Sequence, residues 1–196
     1  MNRLVRPKYV MVAPVLVAVA AALLGCEGES TDGGSAPTSA LSVNGRELAK
    51  DVPTGFDPCA DIPTQVITDE KLGSKKSDLT EAPGGVVWKG CDWVYVGGGG
   101  YAMSVRMTNL TVAMVRDRKL PESNEFTVGG REAIAWRQDA GRSTKDVCDV
   151  NVAVRGGSME INVVNPPSGR DTGHLDSCEI ARSLTEKIAP SIPDSL

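Results

Sequence analysis

From Val86 onward the chain alternates apolar and polar residues with a period of two. Cys91, Trp93 and Tyr95 alternate with Asp92, Val94 and Val96, and after Gly97 to Gly100 the residues Tyr101, Met103, Val105 and Met107 alternate with Ala102, Ser104, Arg106 and Thr108. Successive side chains of a strand point to opposite faces, so this pattern predicts two antiparallel strands with one buried face, joined by the glycine loop. Phe126 to Val128, Gly129-Gly130 and Glu132 to Arg137 predict a second hairpin. The third is the clearest: Cys148, Val150, Val152 and Val154 point inward, Gly156-Gly157 turns, and Met159, Ile161 and Val163 alternate back.

Helical spacing appears around these strands. Pro63 opens a short helix over 63–72 that Gly73 is placed to cap, and a polar loop follows from Ser74 to Pro83. Leu110 to Leu120 reads as a short helix stopped by Pro121. After Pro166-Pro167, a helix from Thr172 to Ile188 sets Leu175, Cys178, Ala181, Leu184 and Ile188 on one face and Asp176, Glu179, Arg182, Glu186 and Lys187 on the other. The predicted fold is a single α+β domain: an antiparallel sheet covered by short helices, with a C-terminal amphipathic helix and two disulfides.

The N-terminal pattern is different in kind. Arg3, Arg6 and Lys8 precede a nearly uncharged stretch from Tyr9 to Leu24, which ends in Leu23-Leu24-Gly25-Cys26. A charged segment, an apolar segment and small residues at a cleavage point read as a secretory signal. The last four residues resemble a bacterial lipobox, in which the Cys takes a diacylglycerol, and commonly a palmitate, and becomes the first mature residue. An ordinary cleaved signal and an uncleaved anchor are the competing readings. Roughly 16 residues fall short of the roughly 20 that a span needs, Pro14 would disturb a long helix, and a plain signal does not need Cys26. The expected organisation is a signal peptide over 1–25, a lipidated Cys26 with a flexible tether over 26–55, and a globular domain over 56–196. The tether reading rests on a run of Gly, Ser, Thr and acid from Glu27 to Ser39, too polar to offset its own ordering entropy.

The chain carries 21 basic and 25 acidic residues, for a net charge of −4. Loss of the leader would remove Arg3, Arg6 and Lys8 but no acid, leaving a still more negative protein. Such a charge argues against nucleic acid and against electrostatic adhesion to anionic lipids. Besides Cys26, the cysteines are Cys59, Cys91, Cys148 and Cys178, an even set that suits disulfides in an exported chain. Three pairings exist in principle. Cys59–Cys91 and Cys148–Cys178 are preferred, because they are neighbours in sequence and each staples a helix to a strand.

Candidate chemistry is sparse. No CxxC is present and His174 is the only histidine, so no metal is expected. The Gly97–Gly100 run joins two strands and has no following Lys, unlike a phosphate loop. A Ser–His or Cys–His relay would have to use His174, which reads as a surface or helix-start residue. Acids are plentiful (Asp57, Asp61, Asp69, Glu70, Asp92, Glu132, Asp139, Asp146 and Asp149), but sequence alone pairs none of them. Trp88, Trp93 and Trp136 sit on predicted strands, either packing the core or lining a pocket or a carbohydrate-facing surface.

Asp57-Pro58-Cys59, Cys91-Asp92-Trp93, Val128-Gly129-Gly130-Arg131-Glu132-Ala133, Cys148-Asp149-Val150 and the helical Cys178 follow one another in order. On these residues the chain resembles a family of actinobacterial lipoproteins described as a domain of unknown function, DUF3558. The resemblance covers roughly residues 56–190 and includes the lipobox and tether before them. It implies a secreted, membrane-tethered, disulfide-bonded domain with no established activity.

The functional expectation is a non-enzymatic module on the extracytoplasmic face of the cell membrane, with no cofactor and no catalytic residues. It would bind an apolar or cell-wall ligand or an envelope protein, with Trp93, Tyr95, Met103 and Met107 as the expected pocket. The alternative is an envelope hydrolase, which needs two carboxylates facing one cleft, one of them with a raised pKa.

Overall fold

The computed structural model describes residues 41–138 and 145–196. The signal peptide, Cys26 and the first part of the tether therefore lie outside the described residues, as does Asp139. No helix among the described residues is long and apolar enough to cross a membrane.

A seven-stranded antiparallel sheet organises the domain. In chain order its strands are β3 (Leu72–Ala82), β4 (Val86–Tyr95), β5 (Ala102–Thr108), β6 (Asn124–Val128), β7 (Arg131–Trp136), β8 (Val147–Val154) and β9 (Gly157–Val164). In space they run β3-β4-β5-β9-β8-β7-β6. Two short strands, β1 (Ser42–Val43) and β2 (Arg46–Glu47), form a separate hairpin. The helices are α1 (Pro58–Asp61), α2 (Thr64–Asp69), α3 (Val112–Asp117) and α4 (Ser177–Ile188).

Register converts the two-residue period into rows across the sheet. Trp93, Met103, Val163 and Cys148 face one another in one row, and Cys91, Val105, Ile161, Val150 and Ala135 form the next. These rows make one continuous apolar face. The buried side of α4, through Ile180, Ala181, Leu184 and Ile188, belongs to the same cluster, as do Phe56 and Ile62. Burying such side chains contributes about 1.5–3 kcal/mol each, which makes this layer the main source of stability.

Both preferred disulfides are present. Cys59 of α1 joins Cys91 of β4 with Cα atoms 5.3 Å apart, and Cys148 of β8 joins Cys178 of α4 at 5.0 Å. Each bridge ties a covering helix to the sheet.

Three expectations about elements are corrected. The segment 74–83 is not a loop but most of β3, an edge strand paired with β4 from Leu72 to Ala82. Its residues are largely exposed on both sides, so no apolar alternation marked it; polar, Lys-containing edges also resist unwanted pairing. The helix expected over 63–72 is only Thr64–Asp69. Lys71, at φ 52°, takes the left-handed position expected of Gly73, and Gly73 instead pairs with Val94. The last helix starts at Ser177 rather than Thr172, because the Asp176 carboxylate accepts from the N–H groups of Cys178 and Glu179 and caps it there.

Residues 41–55, read as tether, carry the β1–β2 hairpin and bury Leu48 in a second apolar cluster with Val112, Met114 and Trp136. Packed structure thus begins ahead of Phe56. This cluster, centred on α3, covers part of the sheet face opposite α4, so β8 and β9 are buried on both faces rather than one.

Candidate functional site

The four residues expected to form one pocket do not converge. Trp93, Met103 and Met107 are core side chains at 3%, 0% and 2% exposure. Trp93 touches a recess between α1, α2 and β3, and Met107 touches another beneath residues 52–58. Tyr95 faces a third recess, a groove of about 370 Å³ lined by Tyr101, Leu175 and Ile180 and by charged Asp69, Glu70, Lys71, Glu179 and Lys187. Alternation located the inward face of β4 and β5, but at mid-sheet inward means filled core, and only the strand ends reach a surface recess.

The groove is electrostatically organised. The Tyr95 and Tyr101 ring centres lie 6.1 Å apart at 54°. Tyr101 Oη donates to Glu70 Oε2 at 2.7 Å, and Lys187 Nζ donates to the other Glu70 oxygen. Burial pushes the Glu70 carboxyl up, but these two donors and the Lys187 charge outweigh it and hold Glu70 below its ordinary value. Burial, then the bond to Glu70 and its charge, push the Tyr101 phenol well up, so it remains a neutral donor.

A second site occupies the face opposite α4. There the polar positions form registered rows. One carries Gly90, Arg106, Glu160, Asn151 and Ile134, and its neighbour carries Asp92, Ser104, Asn162, Asp149 and Trp136. Arg106 donates to Glu160 Oε1 at 2.8 Å and to Asp78 Oδ2 on β3 at 3.2 Å. Gly90 stands between Arg106 and Asp78 in register. A Cβ there would sit 2.0 Å from the Val105 carbonyl oxygen, so only glycine permits this approach of β4 to β5.

Two indoles point into these rows from opposite sides. Trp88 Nε1 donates to Glu160 Oε2 at 3.1 Å, and Trp136 Nε1 donates to Asn151 Oδ1 at 2.8 Å. Asp149 accepts from Asn162 Nδ2 at 2.9 Å and Gln138 Nε2 at 3.0 Å, with no cation paired to it among the described residues. Burial first, and then the Glu160 charge, push Asp149 up to about 7, against the pull of the two amides and Arg106. A cavity of about 160 Å³ opens between the indoles.

Sequence reasoning named Asp149 and the two tryptophans but passed over Glu160 and Arg106. A signal was present. Between Val147 and Val164 the only cation is Arg155 in the turn, and the outward positions of both strands are carboxylates, amides or small residues. A solvated strand face commonly carries Lys and Thr, whereas buried carboxylates and amides need one another as partners. Among the other acids, Asp92 stands in the second polar row, Asp69 lines the tyrosine groove with Glu70 and Glu179, and Asp57, Asp61 and Glu132 are exposed, Asp57 capping α1. His174 is exposed. No group of three or more His, Cys, Asp or Glu among the described residues is disposed to hold a metal.

The fold and its recesses define a disulfide-stapled α+β domain built on one seven-stranded antiparallel sheet, with a tyrosine-lined groove and a tryptophan-lined cleft among its concavities. The chain matches the family described as a protein of unknown function (DUF3558) over residues 21–191, and it belongs to that family. Neither a curated protein nor a solved structure matches it.

Proposed function

We propose that this protein is a lipid-anchored, extracytoplasmic, non-enzymatic binding module, held on the cell membrane by acylated Cys26. Its site for an apolar or amphipathic envelope component is the groove over Tyr95 and Tyr101. The observation that carries the reading is the groove itself: about 370 Å³, lined by Tyr95, Tyr101, Leu175 and Ile180 together with charged Asp69, Glu70, Lys71, Glu179 and Lys187. Apolar and aromatic side chains beside charged ones suit an amphipathic molecule. The disulfides Cys59–Cys91 and Cys148–Cys178 support an oxidising, exported setting. Two acyl chains on Cys26 would give stable attachment where one would not.

Native mass spectrometry of the full chain, recovered from the membranes of an exporting bacterial host, tests both parts. The expected spectrum shows a diacylated N-terminal Cys26 and a lipid-sized adduct that disappears in Tyr95→Ala. An unacylated protein sinks the anchor. A wild-type protein that never carries an adduct sinks the groove.

One observation favours the hydrolase alternative: Asp149 and Glu160 share a cleft, and Asp149 is pushed up to about 7. Against it, Asn162 and Gln138 fix Asp149 and Trp88 and Arg106 fix Glu160 as hydrogen-bond acceptors, so neither carboxyl is a free acid or base. Turnover of a cell-wall glycan that is abolished in Asp149→Asn would reverse this preference.

A further inference from the structure

We infer that the cleft between Trp88 and Trp136 is a second ligand site, independent of the tyrosine groove, and that it takes one neutral, hydroxyl-rich ring, a single saccharide unit. The argument begins with hydrogen-bond capacity. A carboxylate offers about four lone-pair sites. Asp149 Oδ1 accepts from Asn162 and Oδ2 from Gln138, which leaves one site on each oxygen to accept or, where the carboxyl keeps its proton, to donate. Glu160 Oε2 is filled by Trp88 and Asn151, but Oε1 accepts only from Arg106. Spare acceptor sites on two carboxyls suit a ligand group that donates without carrying charge, which is a hydroxyl.

Charge narrows the ligand further. The cavity is lined by two carboxylates, Asp149 and Glu160, and two guanidinium groups, Arg106 and Arg118. Both signs line the cavity, so an anion meets Glu160 and a cation meets the arginines. Either suffers like-charge repulsion that a neutral ring avoids.

Size and shape agree. About 160 Å³ lies below the roughly 300–1,000 Å³ of sites for drug-sized molecules, and is on the scale of one ring. The indoles are fixed from opposite edges, on β4 and β7, through their bonds to Glu160 and Asn151. Arg118 lies 5.9 Å from the Trp136 ring and lines the same cavity. An indole face covers the apolar C–H side of a sugar while its N–H stays partnered.

The test is a titration of the full-length protein in micelles of a detergent without a sugar headgroup. The probes are glucose, N-acetylglucosamine and maltose, with glucuronate and glucosamine as charged controls. Three indole N–H resonances are followed by ¹⁵N NMR, for Trp88, Trp93 and Trp136. The expected result is saturable movement of the Trp88 and Trp136 signals by a neutral sugar, with Kd on the order of 1 mM, while Trp93, on the core face, stays still. Trp88→Phe should weaken binding at least roughly tenfold, and Tyr95→Ala should not change it. Should Trp88→Phe fail to fold, the exposed Arg118→Glu serves instead, and it should shift preference toward glucosamine over glucuronate. No saturable response to any neutral sugar overturns the inference. So does an equal or stronger response to the charged sugars in the unaltered protein.

Discussion

Replacing Asp149 by Asn should reverse its effect on stability between acid and mildly alkaline pH. In the folded protein this carboxyl is 1% exposed, held by two amides, and close enough to Glu160 to feel its charge. Its proton affinity is raised from an ordinary 3.8 to about 7. Between those values the folded state keeps a proton that the unfolded chain has released, so wild-type stability falls as pH rises through that window. The span corresponds to at most about 4 kcal/mol, at about 1.4 kcal/mol per pH unit. Asn cannot ionise and loses this slope, but its NH₂ faces amide donors that a carboxyl oxygen accepted, at a cost of about 1 kcal/mol. Near pH 4 the variant should therefore be less stable than wild type by about that amount, and near pH 8 more stable by up to about 3 kcal/mol. Urea unfolding at the two pH values measures both differences. Because the Glu160 charge helps to raise Asp149, Glu160→Gln should flatten the same slope. A wild-type-to-variant difference that stays constant from pH 4 to pH 8 would refute a carboxyl raised by burial and by the Glu160 charge.

Other expectations are simpler. Removing both Cys148 and Cys178 opens a bridge with a sequence separation of 30, and unfolding should register a loss of about 3–4 kcal/mol; an unchanged melting temperature would show that the bridge does not form. Gly90→Ala should cost at least about 1–3 kcal/mol, since the new methyl meets backbone rather than a movable side chain, and a neutral denaturation midpoint would contradict the close approach of β4 and β5. Arg137→Ala removes a guanidinium that bridges Glu122 and the α4 cap Asp176, and should free the start of α4, read as faster amide exchange at Cys178 and Glu179. Cys26→Ala should move the protein from the membrane fraction to the soluble or unprocessed pool.

Much of the sheet was legible because alternation is local. Once Cys91, Trp93, Met103, Val105, Val150 and Ile161 are assigned to one face, the rows follow from antiparallel pairing and the short glycine turns. The disulfide pairing was legible for the same reason, since each pair is near in sequence and one member lies on a helix that must cover the strand. Edge strand β3 was not legible. An edge strand exposed on both sides carries no burial pattern, and its hydrogen-bond partner β4 supplies the only evidence for it. The expected pocket failed to assemble because burial depends on depth in the sheet, a quantity that a two-residue period does not encode.

The sequence by itself determined which face of each strand is apolar and which cysteines lie close enough to bridge. Each depends on neighbours within a few residues or on residue type. Tertiary structure alone decided that the second sheet face is buried. α3 and the segment around Leu48 fold over it, and Arg106, Glu160 and Asp149, drawn from three strands, become one water-poor cluster. Desolvation and charge pairing act through space, so a row of polar residues that reads as solvated surface becomes, once covered, the most electrostatically constrained place in the domain.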